Sequence, residues 1–245
     1  MATANLIVLM YGGLEKLGPG DDGTTRDVLS LLPRRDFELV LDVGCGSGRQ
    51  TLVLARELDC LIHALDTHES FLAHLEERAR DAGLRNRLQT HCVDMADVPN
   101  RFQNVDLIWA EGSAYSIGFD CALKTWKQAL AKTGFLVVSE LVWLTDSPPP
   151  RAKKFFESEY PAMRTVEEIV TLAEDAGYEV IKTHDVPHES WNEGYYDVLK
   201  PRAGGLLGHE DSQVREFAAA MLEEIAVYET KGESYGYVFL VLKNA

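Results

Sequence analysis

No run in the sequence approaches the roughly 18 to 20 consecutive apolar residues that a membrane-spanning helix requires. The opening "MATANLIVLMYGG" holds an apolar run of about six and no basic residue before it, so neither a span nor a secretory leader is expected there. Cysteine is scarce and unpaired in spacing: Cys45, Cys60, Cys92 and Cys121 form no pattern of a disulfide framework or a metal knuckle, and no metal is expected. A reducing, cytoplasmic setting follows from that usage. Positive charge is also short. Lys and Arg number 24 against 39 Asp and Glu, a net charge of −15. A polyanion must be met by clustered cations. The runs "PRR" (33–35) and "RAKK" (151–154) are too small to reverse the balance, so nucleic acid is an unsuitable partner and a small molecule a better one. Internal repeats and low-complexity tracts are lacking as well.

What the 245 residues do contain is a regular alternation of apolar runs and helical periods. Strands are expected at 37–43, 60–66, 87–94, 105–111 and 134–144, and near the end at 178–186 and 235–243. Helices are expected at 48–59, 68–83, 119–134 (stopping at Gly134), 164–176 and 210–230. Asp22, Gly23 and Thr24 are candidates to cap a further helix over "TTRDVLSLL". Strands alternating with helices of this length indicate βαβ units, hence an α/β fold with a mostly parallel sheet covered on both faces. One domain suffices for this length. It divides into an N-terminal cap at 1–36, a core at 37–186, an insertion at 187–234 and the last strand at 235–243. Long additions at sheet ends are usually lids or binding loops. The amphipathic 210–230 segment also offers a surface for a homodimer.

In open parallel sheets ligands bind beyond the carboxyl ends of the strands. The first such end reads "DVGCGSG", Asp42 to Gly48, with glycines at 44, 46 and 48. A nicotinamide dinucleotide fingerprint would be G-x-G-x-x-G. Position 49 is Arg, and no G-K-[ST] follows, so neither that fingerprint nor a P-loop is present. A catalytic triad is not indicated either, since Ser47 lies in G-x-G-x-G and not in G-x-S-x-G. Asp66 ends the second expected strand and Asp94 the third, in "CVDMADVP".

This stretch closely resembles the first motif of the class I S-adenosylmethionine-dependent methyltransferases, D-x-G-x-G-x-G, and matches it at all four positions. The phrases "EGSAYSIGF" (111–119) and "VVSELVWL" (137–144) are similar to those of bacterial small-molecule members. The resemblance is strong over 37–144 and weak in the N-terminal segment and the 187–234 insertion, where substrate choice is expected. It implies a Rossmann-like, doubly wound, seven-stranded sheet whose last strand is antiparallel and inserted beside the fifth, with helical lid insertions. It also implies S-adenosylmethionine as cofactor and S-adenosylhomocysteine as product. Asp42, Gly44, Cys45, Gly46, Gly48 and Gln50 would form the loop under the methionyl part, with Cys45 a small filler. Asp66, with Thr67 beside it, would accept the ribose hydroxyls. Asp94 would take the adenine amino group while Met95 covers the ring.

Methyl transfer from a sulfonium is an in-line displacement, so placing the acceptor matters most. Glu111 and Glu140 end the fourth and fifth expected strands at the mouth. One is a candidate for the methionyl ammonium or sulfonium side, the other for a cationic acceptor or its proton. Tyr115 follows Glu111 and can approach the methionyl group. His188 is a candidate base. Tyr11, Trp143, Tyr160, Trp191 and Tyr195, with Tyr196, are candidates to cover the acceptor, whereas Tyr228, Tyr235 and Tyr237 read as structural. Two other readings stay open: a noncatalytic binder of the same cofactor, and a nicotinamide-dependent oxidoreductase.

Overall fold

In the computed structural model, residues 3–245 are described, with side chains described from Leu6 onward. The elements run α1 (Thr3–Tyr11), α2 (Asp22–Ser30), β1 (Val40–Val43), α3 (Arg49–Glu57), β2 (Ile62–Asp66) and α4 (Glu69–Asp81). Then come β3 (Leu88–Cys92), the single turn α5 (Val98–Arg101), β4 (Val105–Ala110), α6 (Phe119–Lys127), β5 (Leu130–Trp143) and α7 (Pro150–Glu159). The two-residue β6 (Arg164–Thr165), α8 (Val166–Asp175), β7 (Tyr178–Asp185), α9 (Asp197–Leu206), α10 (Ser212–Lys231) and β8 (Tyr235–Asn244) complete the chain.

The sheet order is β3-β2-β1-β4-β5-β8-β7, with β6 paired to β5 beside this path. Strands β1 to β5 are parallel, and β8 runs antiparallel between β5 and β7. The fold is therefore the doubly wound α/β sheet expected from the alternation, with a short eighth strand added. Its order reverses between β1 and β4, which makes the carboxyl ends of those strands the crevice where such sheets take ligands. All four residues of β1 are buried, as a central parallel strand covered on both faces requires. Alternate residues feed two cores. Val40, Leu107, Trp109, Val137 and Phe239 pack on one face. Leu41, Ile108, Val138, Leu240 and Trp126 pack on the other. A third cluster joins α1, α7, α9 and α10 around Met10, Phe156, Trp191, Tyr228 and Tyr235.

Three local expectations are corrected. The helix expected over 119–134 ends at Lys127, and β5 begins at Leu130. The Ala129 carbonyl accepts from Val105 N at 2.9 Å, so sheet pairing with β4 takes the backbone groups a further helical turn would use. Gly134 lies inside that strand, where a Cβ would stand 2.6 Å from the Val105 carbonyl oxygen. The cap of α2 is Asp21, one residue earlier than expected, and its Oδ1 accepts from Thr24 N at 2.8 Å. The apolar face of α10 is occupied within the chain: Ala218, Met221 and Ile225 are buried in the third cluster, and Val214 is buried as well.

Helices α1, α7 and α9 were not foreseen. Pro150 opens α7 at a first-turn position, where the missing N–H costs nothing. Pro201, Gly204 and Gly205 lower the intrinsic propensity of α9. Burial of Leu199 and Ala203 in the third cluster holds it.

Candidate functional site

The turn after β1 is built by conformations open to few residues but glycine. Gly44, Gly46 and Gly48 have φ of 74°, 55° and 81°. Their α-carbons are also crowded from behind. A Cβ on Gly44 would overlap Ser113, one on Gly46 would come within 2.7 Å of Leu17 Cδ1, and one on Gly48 would overlap Leu75. The glycines thus serve the loop's own packing as well as its closeness to a ligand. Two carboxylates hold the loop. Beneath it, Asp42 is fully buried and accepts from Thr51 Oγ1 and from Gln50 Nε2 at 3.2 Å. Burial pushes the Asp42 carboxyl up to about 7 against the pull of those two donors. Beside it, Asp66 accepts from Gly46 N at 2.9 Å through one oxygen and from His68 N at 2.8 Å through the other.

Above the loop lies a cavity of about 450 Å³, within the range of small-molecule and cofactor sites. One end is formed by the glycine loop with Leu65, Asp66, Thr67, Phe71, Val93 and Met95. The Asp66 carboxylate retains acceptor capacity beyond its two backbone donors. Leu65, Phe71, Val93 and Met95 make that end apolar. The other end is formed by Ile7, Tyr11, Tyr115, Tyr195, Phe217 and Tyr237. Cys45 lines the cavity but is buried, and its thiol is raised well above the ordinary range by burial and by Asp42 and Asp66. It is a filler and not a nucleophile.

Glu111 also borders the cavity, already occupied. One oxygen pairs with Arg49, and the other accepts from Trp109 Nε1 at 3.1 Å and Thr25 Oγ1 at 3.3 Å. Arg49 further bonds Thr25 Oγ1 at 3.1 Å and reaches Asp22 at 3.5 Å. The residue standing where a dinucleotide fingerprint has its third glycine thus ties α2 to the end of β4. Gln50 lines the cavity too, but its amide is turned to Asp42 and the Cys45 carbonyl.

The structure brings together most of the residues singled out for the cofactor, along with Tyr11 and Tyr195. Several others lie elsewhere. Asp94 is exposed at the rim, not in the lining, and its carboxylate caps the turn at 95–97 by accepting from Ala96 N at 2.8 Å. Glu140 does not line the cavity, and strand alternation gives the reason. It shares a face of β5 with Leu136 and Val138, whereas Trp109 and Phe239 mark the opposite face, to which Glu111 and Tyr237 belong by the same alternation. There it is buried, accepts from the Tyr160 hydroxyl at 2.5 Å, and is pushed up to about 7 chiefly by burial.

Trp143 packs edge-on against Phe156 at 5.6 Å and Tyr235 at 6.3 Å. Tyr160 touches the site only through the ring of Tyr115, at 6.4 Å. Trp191 is stacked on Tyr228 at 5.1 Å. His188 stacks on the same Tyr228 ring at 4.5 Å, its Nδ1 2.9 Å from the Tyr228 hydroxyl, and does not border the cavity.

Sequence reasoning passed over Leu17, Ser113 and Phe217 and read Tyr237 as structural, yet all four line the cavity. Tyr237 carried a usable signal: it is two residues before Phe239, on the same strand face, at the end of β8 nearest the mouth. Ser113 locks the β4 loop onto β1 through a 2.7 Å bond from its hydroxyl to the Val43 carbonyl.

Among known proteins, residues 40–134 match the family model described as "Methyltransferase domain". Two curated relatives are similar over much of the chain. "Methyltransferase GfsG" of Streptomyces halstedii is 26% identical over 175 residues, covering 67% of this chain and 63% of its own. The "Trans-aconitate 2-methyltransferase" of Afipia carboxidovorans is 26% identical over 182 residues, covering 74% of this chain and 63% of its own. The chain therefore spans less than two thirds of the length of either. Among solved structures, a "SAM-dependent methyltransferase from Thiobacillus denitrificans in complex with S-Adenosyl-L-homocysteine" has the same fold, with a TM-score of 0.82 at 18% identity over 100% of both chains. Among the described residues no cluster of His, Cys, Asp and Glu could hold a metal ion, and no helix is long and apolar enough to cross a membrane.

Proposed function

We propose that the chain, a class I S-adenosylmethionine-dependent methyltransferase by its domain match over residues 40–134 together with its relatives and fold, transfers the methyl group of S-adenosylmethionine to a small-molecule acceptor. One observation carries this reading. A single cavity unites the complete D-x-G-x-G-x-G loop and the Asp66 carboxylate at one end with a wall of tyrosines at the other. The residues fit the cofactor on their chemistry. Asp66 has acceptor capacity for ribose hydroxyls. Val93, Met95, Leu65 and Phe71 offer apolar surface for adenine, and the glycine turn leaves room for the methionyl part. Bound there, the cofactor supplies an activated methyl group on a good leaving group. The chain's own part is to hold the acceptor in line and to exclude water.

The alternative of a nicotinamide cofactor is disfavoured by Arg49, whose side chain is committed to Glu111, Thr25 and Asp22 in front of α3. We assign the N-terminal segment to 36 and the 187–234 insertion to the cover of the acceptor end. They supply Tyr11, Leu17, Tyr195 and Phe217, and they are tied together by Lys16, which donates to the carbonyls of Ser190 and, at 2.8 Å, Glu193. Free thiols at the exposed Cys92 and Cys121 suit a cytoplasmic setting.

Titration calorimetry with S-adenosylmethionine and with NADH tests the cofactor. Transfer of label from methyl-labelled cofactor into a metabolite extract tests turnover. Saturable binding of the former compound only, with label appearing in a discrete product, is expected. Absence of binding would end the reading, and binding without transfer would leave a noncatalytic binder.

A further inference from the structure

The far end of the cavity has a marked chemical bias. Tyr11, Tyr115, Tyr195 and Tyr237 line it together with Phe217 and Ile7, so aromatic faces and hydroxyls enclose most of it. Tyr115 is 53% exposed, the most open ring of the wall, in which Tyr195 is buried and Tyr11, Phe217 and Tyr237 are half-buried. Behind the rings stands Glu224. It lies on α10 two turns from Phe217, on the same helix face by the i, i+7 relation. Its Oε1 accepts from the Tyr196 hydroxyl at 2.7 Å, and no ion-pair partner is found for it among the described residues. Glu224 is half-buried, and burial raises its carboxyl above the ordinary range against the pull of the Tyr196 hydroxyl.

Its charge acts on the hydroxyls of all four lining tyrosines, raising each further above the ordinary range after the larger effect of burial. The other charges that act on them are also carboxylates, Glu140 on Tyr115 and Tyr237, and Asp66 on Tyr115. Among the described residues Arg49 is the one Lys or Arg in the lining, and it is spent on Glu111 and Asp22 at the opposite end.

A ring-walled space in a negative field, with no unpaired Lys or Arg in its lining among the described residues, attracts positive charge and repels anions. Resting on the methyltransferase reading, we propose that the acceptor is an amine carrying an apolar body, that the tyrosine wall receives its ammonium form or ammonium product, and that Glu224 sets this selectivity from behind the wall. The chemistry agrees with the field. An amine acceptor gains the methyl group as a new N–C bond while the C–S bond breaks with its electron pair to sulfur, so the positive charge ends on nitrogen. A tertiary amine then leaves as a quaternary ion, and a primary or secondary one releases a proton. In either case the charge moves towards the tyrosines and Glu224. Glu224 is a positioning and selectivity group here, since it stands behind the lining and does not touch the reacting atoms.

The test compares two probes of equal shape. Benzyltrimethylammonium and its neutral carbon isostere, neopentylbenzene, are titrated into the full chain saturated with S-adenosylhomocysteine, with benzoate as the anionic control. The cation should bind roughly tenfold or more tighter than the isostere, and benzoate should not bind. E224Q should bring the cation and the isostere to within about threefold of each other, with S-adenosylhomocysteine affinity unchanged. Equal binding of the two probes by the unsubstituted chain, preference for benzoate, or unaltered selectivity in a folded E224Q chain would each overturn the proposal. Failure of S-adenosylhomocysteine itself to bind would instead remove the cofactor reading on which it rests.

Discussion

Asp66 makes two demands on the site, and replacing it separates them. One oxygen restrains Gly46 at 2.9 Å and the other restrains His68 at 2.8 Å, so the carboxylate clamps the glycine loop to the first turn of α4. Its remaining lone pairs border the cavity, where the ribose is assigned. In Asp66→Ala, two ligand hydroxyls lose a charged acceptor and two backbone donors lose a partner. The first loss should weaken S-adenosylhomocysteine binding by about 1–3 kcal/mol, roughly 5- to 150-fold in Kd. The second should lower stability by about 1–2 kcal/mol, because water can replace part of what is lost at a group that borders the cavity.

A second ligand divides the two effects. The 2′-deoxy analogue of S-adenosylhomocysteine has already lost one of the hydroxyls. If the carboxylate acts on the ribose, the substitution should cost this analogue about half as much as the parent compound, by calorimetry at the same pH. Asp66→Asn should not rescue binding, since both oxygens face N–H donors and an amide nitrogen would oppose one of them. Parent affinity unchanged within about twofold in a folded Asp66→Ala chain would refute the ribose assignment. Equal losses for parent and analogue would show that Asp66 acts through the loop alone.

The remaining expectations concern the loop, the buried acids and the cover. Gly48→Ala combines a φ of 81° with overlap on Leu75 and should lower stability by about 1–3 kcal/mol in denaturant melts. Adding Leu75→Ala should relieve the overlap but not the backbone strain. Asp42 and Glu140 both titrate near 7 in the fold, against about 4 when unfolded. For an acid whose folded pKa is raised, the stabilising contribution is full below the unfolded value and is lost as pH rises through the folded one. Stability should therefore fall between pH 4 and about 7–8, and Glu140→Gln, which keeps an acceptor for Tyr160, should flatten part of that fall. An unchanged slope would contradict the burial argument. Lys16→Ala removes the donor to the Ser190 and Glu193 carbonyls, and limited proteolysis within 187–196 should then quicken while S-adenosylhomocysteine affinity holds.

How far the sequence could be read varied with the range of the forces involved. The central strands were legible because a parallel strand buried on both faces must be continuously apolar, and "LVLDV" and "VDLIWA" satisfy that locally. The glycine turn was legible for the same reason: positive φ at three alternate positions is a demand of the backbone itself. Glu140 was misplaced because "VVSE" shows neither that β5 runs on to Trp143 nor which face the glutamate takes, and one step in the alternation moves a side chain across the sheet. Trp191 and His188 were drawn to the site by composition, yet their stacking on Tyr228 depends on α10, some forty residues away. Helix α9 was hidden for a related reason, since Pro201 and two glycines argue against a helix that only tertiary burial rescues.

The same division of range bears on how selectivity is built. Every residue assigned to the cofactor borders the first three strands or the loop after β4, all inside the 40–134 segment that matches the methyltransferase domain. At the opposite end only Tyr115 belongs to that segment. Ile7, Tyr11, Tyr195, Phe217 and Tyr237 come from α1, the 187–234 insertion and β8. The cover is tied within itself by Lys16 to the insertion and by Arg202 to the carbonyls of Met10 and Gly12 at 2.8 and 2.9 Å, whereas its bonds to the glycine-loop half come from Glu15, Asp22 and Thr25, none of them in the tyrosine wall. Substitutions in the wall can thus change which acceptor is held with little disturbance to the glycine loop, because sites that share no partner contribute nearly additively. An exchange of Phe217 and Glu224 together should accordingly move acceptor preference and leave S-adenosylhomocysteine affinity within about threefold. A larger loss of cofactor affinity would mean that the wall and the loop are one coupled unit, and that selectivity cannot be assigned to the cover alone.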